Sequence, residues 1–238
     1  MFYLDRHKTK KRTAIWKEKS KIFFDILKIE YILIIHKETS SIIGQKNIHN
    51  TWHEKGFISK IFQKIISYEY DNRKPQHLEF NIKKDLILLE YDDYKVLLED
   101  GDFIRSILIL NSDPSYYLQI ALETLIKEYE KENQKFLKNF TRKITEYPDF
   151  MDLIDNIFDI SLIFPHIIDL NTLSTVVNSY QDKILTIAAN IQKKKGKFFI
   201  SELLNQLISN KDFNEPKERI IANIFDLRQY GYIKPLEE

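Results

Sequence analysis

Three features predict an α+β fold, a five-stranded antiparallel sheet with helices followed by a mainly α-helical segment. Residues 86–111 read LILLEYDDYKVLLEDGDFIRSILILN, three apolar runs broken at Asp92-Asp93 and Asp100-Gly101. Short apolar runs separated by tight polar turns are the pattern of an antiparallel meander. Between Glu54 and Tyr70 the period changes. Phe57, Ile58, Ile61, Phe62, Ile65 and Ile66 recur at three- and four-residue spacing, which puts them on one face of a helix. Beyond Phe164-Pro165, strand-like runs give way to Leu173, Val177, Tyr180, Ile184, Ile187 and Ile191, again at helical spacing.

In chain order, residues 1–22 hold eight Lys/Arg against Asp5 and Glu18, with KTKKR at Lys8 to Arg12. They predict a basic lead-in running into a helix or turn that packs Trp16 on the body. IEYILIIHK, Ile29 to Lys37, is apolar at nearly every position, as a strand covered on both faces would be. Glu38 to Ser41 turns the chain, and Ile42 to Ile48 completes a hairpin. Pro75 ends the amphipathic helix, because it has no N–H and biases Lys74 away from helix. Leu78 to Ile82 alternates and is a candidate extra strand. Within the meander, Gly101 after Asp100 is expected to supply a positive φ, and Arg105 is a candidate partner for Glu99. After it, Asp113 and Pro114 are expected as N-cap and first residue of a long helix. Leu118, Leu122, Leu125 and Tyr129 form its inner stripe, continued by Phe136, Leu137 and Phe140. Pro148-Asp149 restarts the chain into a shorter helix bearing Phe150, Leu153, Ile154, Ile157 and Phe158. In the last third, Lys193 to Lys197 interrupts a helix begun near Leu173. Phe198 to Ile208 forms a second, capped by Ser201. Glu215-Pro216 opens a third, and Tyr230 to Leu236 extends as a strand.

Composition narrows the function classes. Hydrophobic residues make up 43% of the chain, enough for a packed core. The net charge of +1 gives no global field toward nucleic acid or membrane, although the basic N-terminus precedes a more acidic body. The absence of cysteine removes disulfides, thiolate metal sites and a Cys nucleophile, and is compatible with a reducing cytosol. No apolar h-region begins the chain, and no apolar run approaches the roughly 20 residues of a membrane span. A cytoplasmic protein, peripheral at membranes at most, is expected.

The order strand, strand, helix, three strands, helix, helix over residues 23–160 resembles the longin fold. The resemblance is carried by IEYILIIHK with SIIGQKNI, FISKIFQKIISYEY, the meander with its EDG-aromatic-IR turn, DPSYYLQIALETLIKEYEKENQKF and ITEYPDFMDLIDNIF. The C-terminal order helix, helix, helix, short strand is similar to a winged-helix unit with an abbreviated wing. The implied organisation is a basic segment (1–22), a longin-like domain (23–164) and a winged-helix-like domain (165–238). Longin domains act as docking surfaces in membrane traffic and around small GTPases. The resemblance therefore implies a non-enzymatic adaptor without cofactor. Its partner would be a small GTPase or another longin or roadblock-type subunit. The seam from Leu173 to Ile191 is too short for the coiled coil of a longin SNARE. The alternative is a winged-helix DNA-binding transcriptional regulator in which the longin-like part dimerises or senses. An unrecognised hydrolase stands third.

No catalytic site is spelled out. The five glycines form neither GxxxxGK[ST] nor GxGxxG. His49 and His53 beside Glu54 have helical spacing for a metal but no HExxH context, so solvated histidines are expected. Glu99, Asp100, Asp102, Asp92 and Asp93 are expected as solvated hairpin residues, not as acid–base or cation sites. The partner-binding candidates are Phe57, Ile58 and Phe62 on the first amphipathic helix. The candidates for contact with an anionic surface or phosphate are Lys8, Lys10, Lys11 and Arg12, with Lys193, Lys194, Lys195 and Lys197. In the third C-terminal helix Lys217, Arg219 and Arg228 stand against Glu218 and Asp226. That is nearly neutral and poorly suited to base readout, so protein binding is the expected use.

Overall fold

The computed structural model describes residues 2–48, 56–71, 86–91, 93–141, 150–169, 177–210, 213 and 215–236; for 2–12, 64 and 66–71 it describes the backbone alone. The protein is of the α+β class, with seven α-helices and one five-stranded antiparallel sheet among the described residues. The chain divides into two compact units, residues 28–158 and residues 1–27 with 159–238.

The first unit holds the sheet. Its strands are β1 (Ile29–His36), β2 (Ser41–Asn47), β3 (Leu86–Glu90), β4 (Lys95–Asp100) and β5 (Ile104–Leu110), in the order β2-β1-β5-β4-β3. The meander registers Leu88 opposite Leu97 and Leu97 opposite Leu108, so like-facing apolar residues stack across three strands. Strand alternation then sorts side chains by face. Leu33, Ile35, Leu89, Val96, Leu98, Ile107 and Ile109 pack with Ile61 and Ile65 of α2 (Phe57–Asp71). The opposite face meets α3 (Tyr116–Lys138), which buries Leu118, Ala121, Leu122, Leu125, Ile126, Tyr129 and Leu137. α4 (Met151–Phe158) lies against α3. Ile29 to His36 is thus covered on both faces, as its continuous apolar run predicts.

Two local expectations change. The N-cap of α3 is Ser115, whose hydroxyl accepts the Leu118 N–H at 3.3 Å, whereas Asp113 pairs with Lys95. Both residues suit a cap; the cation on β4 takes the carboxylate and leaves the hydroxyl to the helix. Gly101 is not a positive-φ glycine. Its requirement is space. A Cβ there would stand 2.4 Å from Glu130 Oε1 and 2.5 Å from Ile126 Cγ2. That same Oε1 accepts the N–H groups of Phe103 (2.7 Å) and Ile104 (3.0 Å), fastening the β4–β5 hairpin to α3. Gly101→Ala therefore displaces the carboxylate that holds two amides. It should cost about 1–3 kcal/mol in urea unfolding, by overpacking and loss of the acceptor. Combined with Glu130→Ala, which vacates the space, its added cost should shrink; strict additivity would show that the close approach is not the cause.

The second unit is discontinuous. α1 (Phe2–Ile26) joins a short 3-10 helix (Ile160–Ile163), β6 (His166–Ile168), α5 (Ser179–Lys195), α6 (Ile200–Ser209), α7 (Lys217–Gln229) and β7 (Ile233–Pro235). Phe23, Ile26 and Leu162 share one core with Ile184, Leu203, Ile220, Ile224 and Tyr232. That core places the divisions after Leu27 and Phe158, where composition suggested residues 22 and 164. β6 was not expected. It pairs with β7 on one side and bridges to Phe198 on the other, through His166 N–H to Phe198 O (2.7 Å) and the return bond at 3.0 Å. The bridge holds Phe198 extended and starts α6 at Ile200, with Phe199 at the cap position. Ser201 lies inside the first turn and makes no cap there. α5 starts with a capping box between Asn178 and Gln181 and ends at Gly196, whose φ of 77° is the left-handed conformation that glycine adopts freely.

Leu78 to Ile82, Pro75, Pro148 and Leu173 lie outside the described residues. No helix among the described residues is long and apolar enough to cross a membrane.

Candidate docking surface

α2 is amphipathic because its apolar residues fall on one stripe, and the centre of that stripe, Ile61 and Ile65, is buried on the sheet. Phe57, Ile58 and Phe62 occupy its margins. Each is half-buried and packs on the same core. Three tyrosines extend this margin, Tyr31 on β1 and Tyr91 and Tyr94 at the β3–β4 turn. The Phe57 ring lies 5.2 Å from Tyr94 in an edge-on arrangement and 5.9 Å from Tyr31. Tyr91 stacks on Tyr94 at 4.8 Å. The Tyr91 N–H donates to Tyr94 O at 3.0 Å, closing the β3–β4 turn that brings the two rings together. Asn47 Nδ2 donates to the Tyr31 hydroxyl at 3.0 Å. Burial, helped by Tyr94, pushes the Tyr91 phenol up to about 12, and burial also raises Tyr31. Tyr31 and Tyr91 therefore stay neutral near pH 7, each with an apolar body and a hydroxyl able to donate or accept. Tyr31, Tyr91 and Tyr94 were not singled out from the sequence. The usable signal was that Tyr31 alternates with Leu33 and Ile35, which face α2.

Among the acidic turn residues, Asp100 is tied into the sheet. Arg105 pairs with Asp100, not Glu99, through Nε (2.6 Å) and Nη2 (2.9 Å). Asp100 stands directly across the ladder from Arg105, while Glu99 stands across from Ser106 with its side chain on the other face. Lys37 donates to Gly101 O at 2.7 Å. Glu99 is buried, contrary to the expected solvated turn residue; Asp93 and Asp102 are exposed. Asp92, His49, His53 and Glu54 fall outside the described residues, and no metal-holding cluster of His, Asp or Glu occurs among the described ones.

The expected basic candidates separate into two sets. On α7 the cations are engaged within the unit. Arg219 is held by Glu215 at 2.7 Å and 2.8 Å and lies over the rings of Tyr180 (4.8 Å) and Trp16 (5.5 Å). Arg228 meets both Asp159 oxygens at 3.1 Å and Ser161 at 2.6 Å. Lys217 sits 4.2 Å over Phe24. α1 runs along α7, with Lys19 on Asp226 at 2.6 Å. By contrast Lys193, Lys194 and Lys197 are exposed, and Lys195 pairs with Glu202. The side chains of Lys8, Lys10, Lys11 and Arg12 lie outside the described ones.

No protein-family model matches the chain, and no curated protein matches its sequence.

Proposed function

We propose that the protein is a non-enzymatic docking protein whose sheet unit is longin-like and whose helical unit is winged-helix-like. It binds a protein partner through the margin of α2 and the β3–β4 turn. The observation that carries this reading is the aromatic group of Phe57, Tyr31, Tyr91 and Tyr94, flanked by Ile58 and Phe62. Half-buried aromatic rings offer large, rigid, low-entropy contact area, which is why Tyr and Trp concentrate in interface hot spots. The longin-like reading is supported by the element order and by the five antiparallel strands with α2 and α3 on opposite faces. With both faces carrying helices, docking falls to a helix margin or a sheet edge, not to an open sheet face. The partner of this reading is a small GTPase or another longin or roadblock-type subunit of membrane-traffic machinery.

The DNA-binding alternative loses support at α7. Its three cations are engaged by Glu215, Asp159 and Phe24, and α1 packs along it. A helix whose two arginines are paired and whose lysine lies over a ring offers little free cationic surface to base edges.

The test is affinity capture from native lysate at low and high salt, with wild type beside Ile58→Lys and the milder Phe62→Ala, each checked for native unfolding. A small GTPase or longin-type subunit should be retained by wild type at both salts. Ile58→Lys should lose it by roughly tenfold or more, as hot-spot changes above about 1.4 kcal/mol do. An unchanged retained set in both folded variants would remove α2 from the reading. Retention of nucleic acid alone would favour the alternative.

A further inference from the structure

The corner between α5 and α6 carries a feature that the docking surface does not use. Four lysines stand within five residues, Lys193, Lys194, Lys195 and Lys197, around the Gly196 turn. Lys195 spends its charge on Glu202, while Lys193, Lys194 and Lys197 are exposed with no ion pair among the described residues. Immediately after them, Phe199 is 41% exposed, although Phe198 beside it is fully buried. The reason is local. The bridge to His166 points Phe198 into the core, and the cap position of α6 turns its neighbour outward. Phe199 heads a shallow groove of about 440 Å³ along α6, lined by Ser201, Glu202, Asn205, Gln206 and Ser209. Because Glu202 lines the groove, its bond to Lys195 brings the lysine cluster to the same end.

We propose that this corner is a reversible contact for anionic lipid headgroups at a membrane surface, with Lys193, Lys194 and Lys197 supplying attraction and Phe199 entering the interface. Charge complementarity selects an anionic occupant, and the exposed Phe199 ring beside the lysines selects a lipid interface, which an aromatic side chain can enter. Lys193, Lys194 and Lys197 stand within five residues around one turn, whereas Arg219 and Arg228 are already paired. Lysine ammonium groups act as hydrated point charges suited to a diffuse anionic layer. Each basic residue near such a surface adds a small increment, and three with one exposed aromatic make weak, salt-sensitive binding. This contact lies outside the docking reading and does not depend on it.

The test uses the full chain in co-sedimentation with phosphatidylcholine vesicles, with and without phosphatidylserine, at low and high salt. Wild type should sediment only with the anionic vesicles and be released by salt. The Lys193→Glu, Lys194→Glu, Lys197→Glu triple variant, whose exposed positions spare the core, should bind roughly tenfold or more weakly. Phe199→Ser should weaken binding several-fold while keeping its salt dependence. Lys135→Glu, at an exposed position of α3, should bind vesicles as wild type does, which ties the effect to this cluster and not to any exposed lysine. Equal sedimentation of wild type and triple variant would overturn the proposal. So would wild type failing on anionic vesicles while binding a labelled oligonucleotide through the same lysines.

Discussion

Phe23→Ala should destabilise the helical unit by about 3–5 kcal/mol, the usual cost of emptying a buried phenylalanine site. Phe23 is 1% exposed and Ile26 is fully buried, in one core with residues of α5, α6, α7 and β7. The loss combines the transfer term of the ring with the cavity left between α1 and its neighbours. The unit cannot close over that cavity by shifting α1 alone. The Lys19–Asp226 pair and the stacking of Arg219 on Trp16 fix the helix one and two turns earlier. Urea unfolding followed by tryptophan fluorescence in a Trp52→Phe background is the measurement, because Trp16, then the one tryptophan, lies on the Arg219 guanidinium and reports the same packing. A loss below about 1 kcal/mol, the range of surface changes, would mean that α1 is a loosely attached tail.

The second large effect is acid sensitivity centred on His166. This residue is fully buried, and its Nδ1 lies 2.8 Å from Phe164 O. A carbonyl can only accept, so Nδ1 carries the proton, and Nε2 is left as a bare lone pair without a partner. Burial first and the Arg228 guanidinium second lower the imidazole to about 4 from its ordinary 6.5, against the small opposing pull of Phe164 O. The folded unit therefore holds His166 neutral at pH values where the unfolded chain protonates it. Above pH 6.5 both states are neutral and stability is full. Between pH 6.5 and about 4 the unfolded chain takes up a proton that the folded one refuses, and stability falls by about 3 kcal/mol in total. Below that range His166 adds no further slope. Unfolding free energies across the window should fall in wild type, and His166→Leu should flatten that part of the curve. An identical slope in the variant would assign the acid sensitivity to carboxylates instead.

The sheet was legible because polar breaks at Asp100-Gly101 and between Tyr91 and Tyr94 end apolar runs whose alternation then assigns faces. α2, α3 and α7 were legible by period. What escaped the sequence was decided by distant partners. β6 is only His-Ile-Ile, and it becomes a strand because β7 and Phe198 supply hydrogen bonds on both sides. α1 reads as a basic lead-in until Phe23 and Ile26 are seen in a core assembled from residues about 140 or more positions later. Asp113 loses the cap to Ser115 through Lys95, and Gly101 answers to Glu130 and Ile126, none of them local in sequence. At the docking surface, the periodic residues Phe57, Ile58 and Phe62 could be named in advance. The tyrosines could not, since Tyr31 and Tyr94 meet Phe57 only through the strand order β2-β1-β5-β4-β3 and the packing of α2 on the sheet.

The claim that docking occurs at the margin of α2 is tested most directly by hydrogen exchange on the full chain, free and saturated with the protein captured from lysate. The account predicts slowed exchange at the start of α2, around Phe57 to Phe62, together with the β3–β4 turn from Tyr91 to Tyr94. Protection confined to α5, α6 or α7, with α2 unchanged, would contradict it.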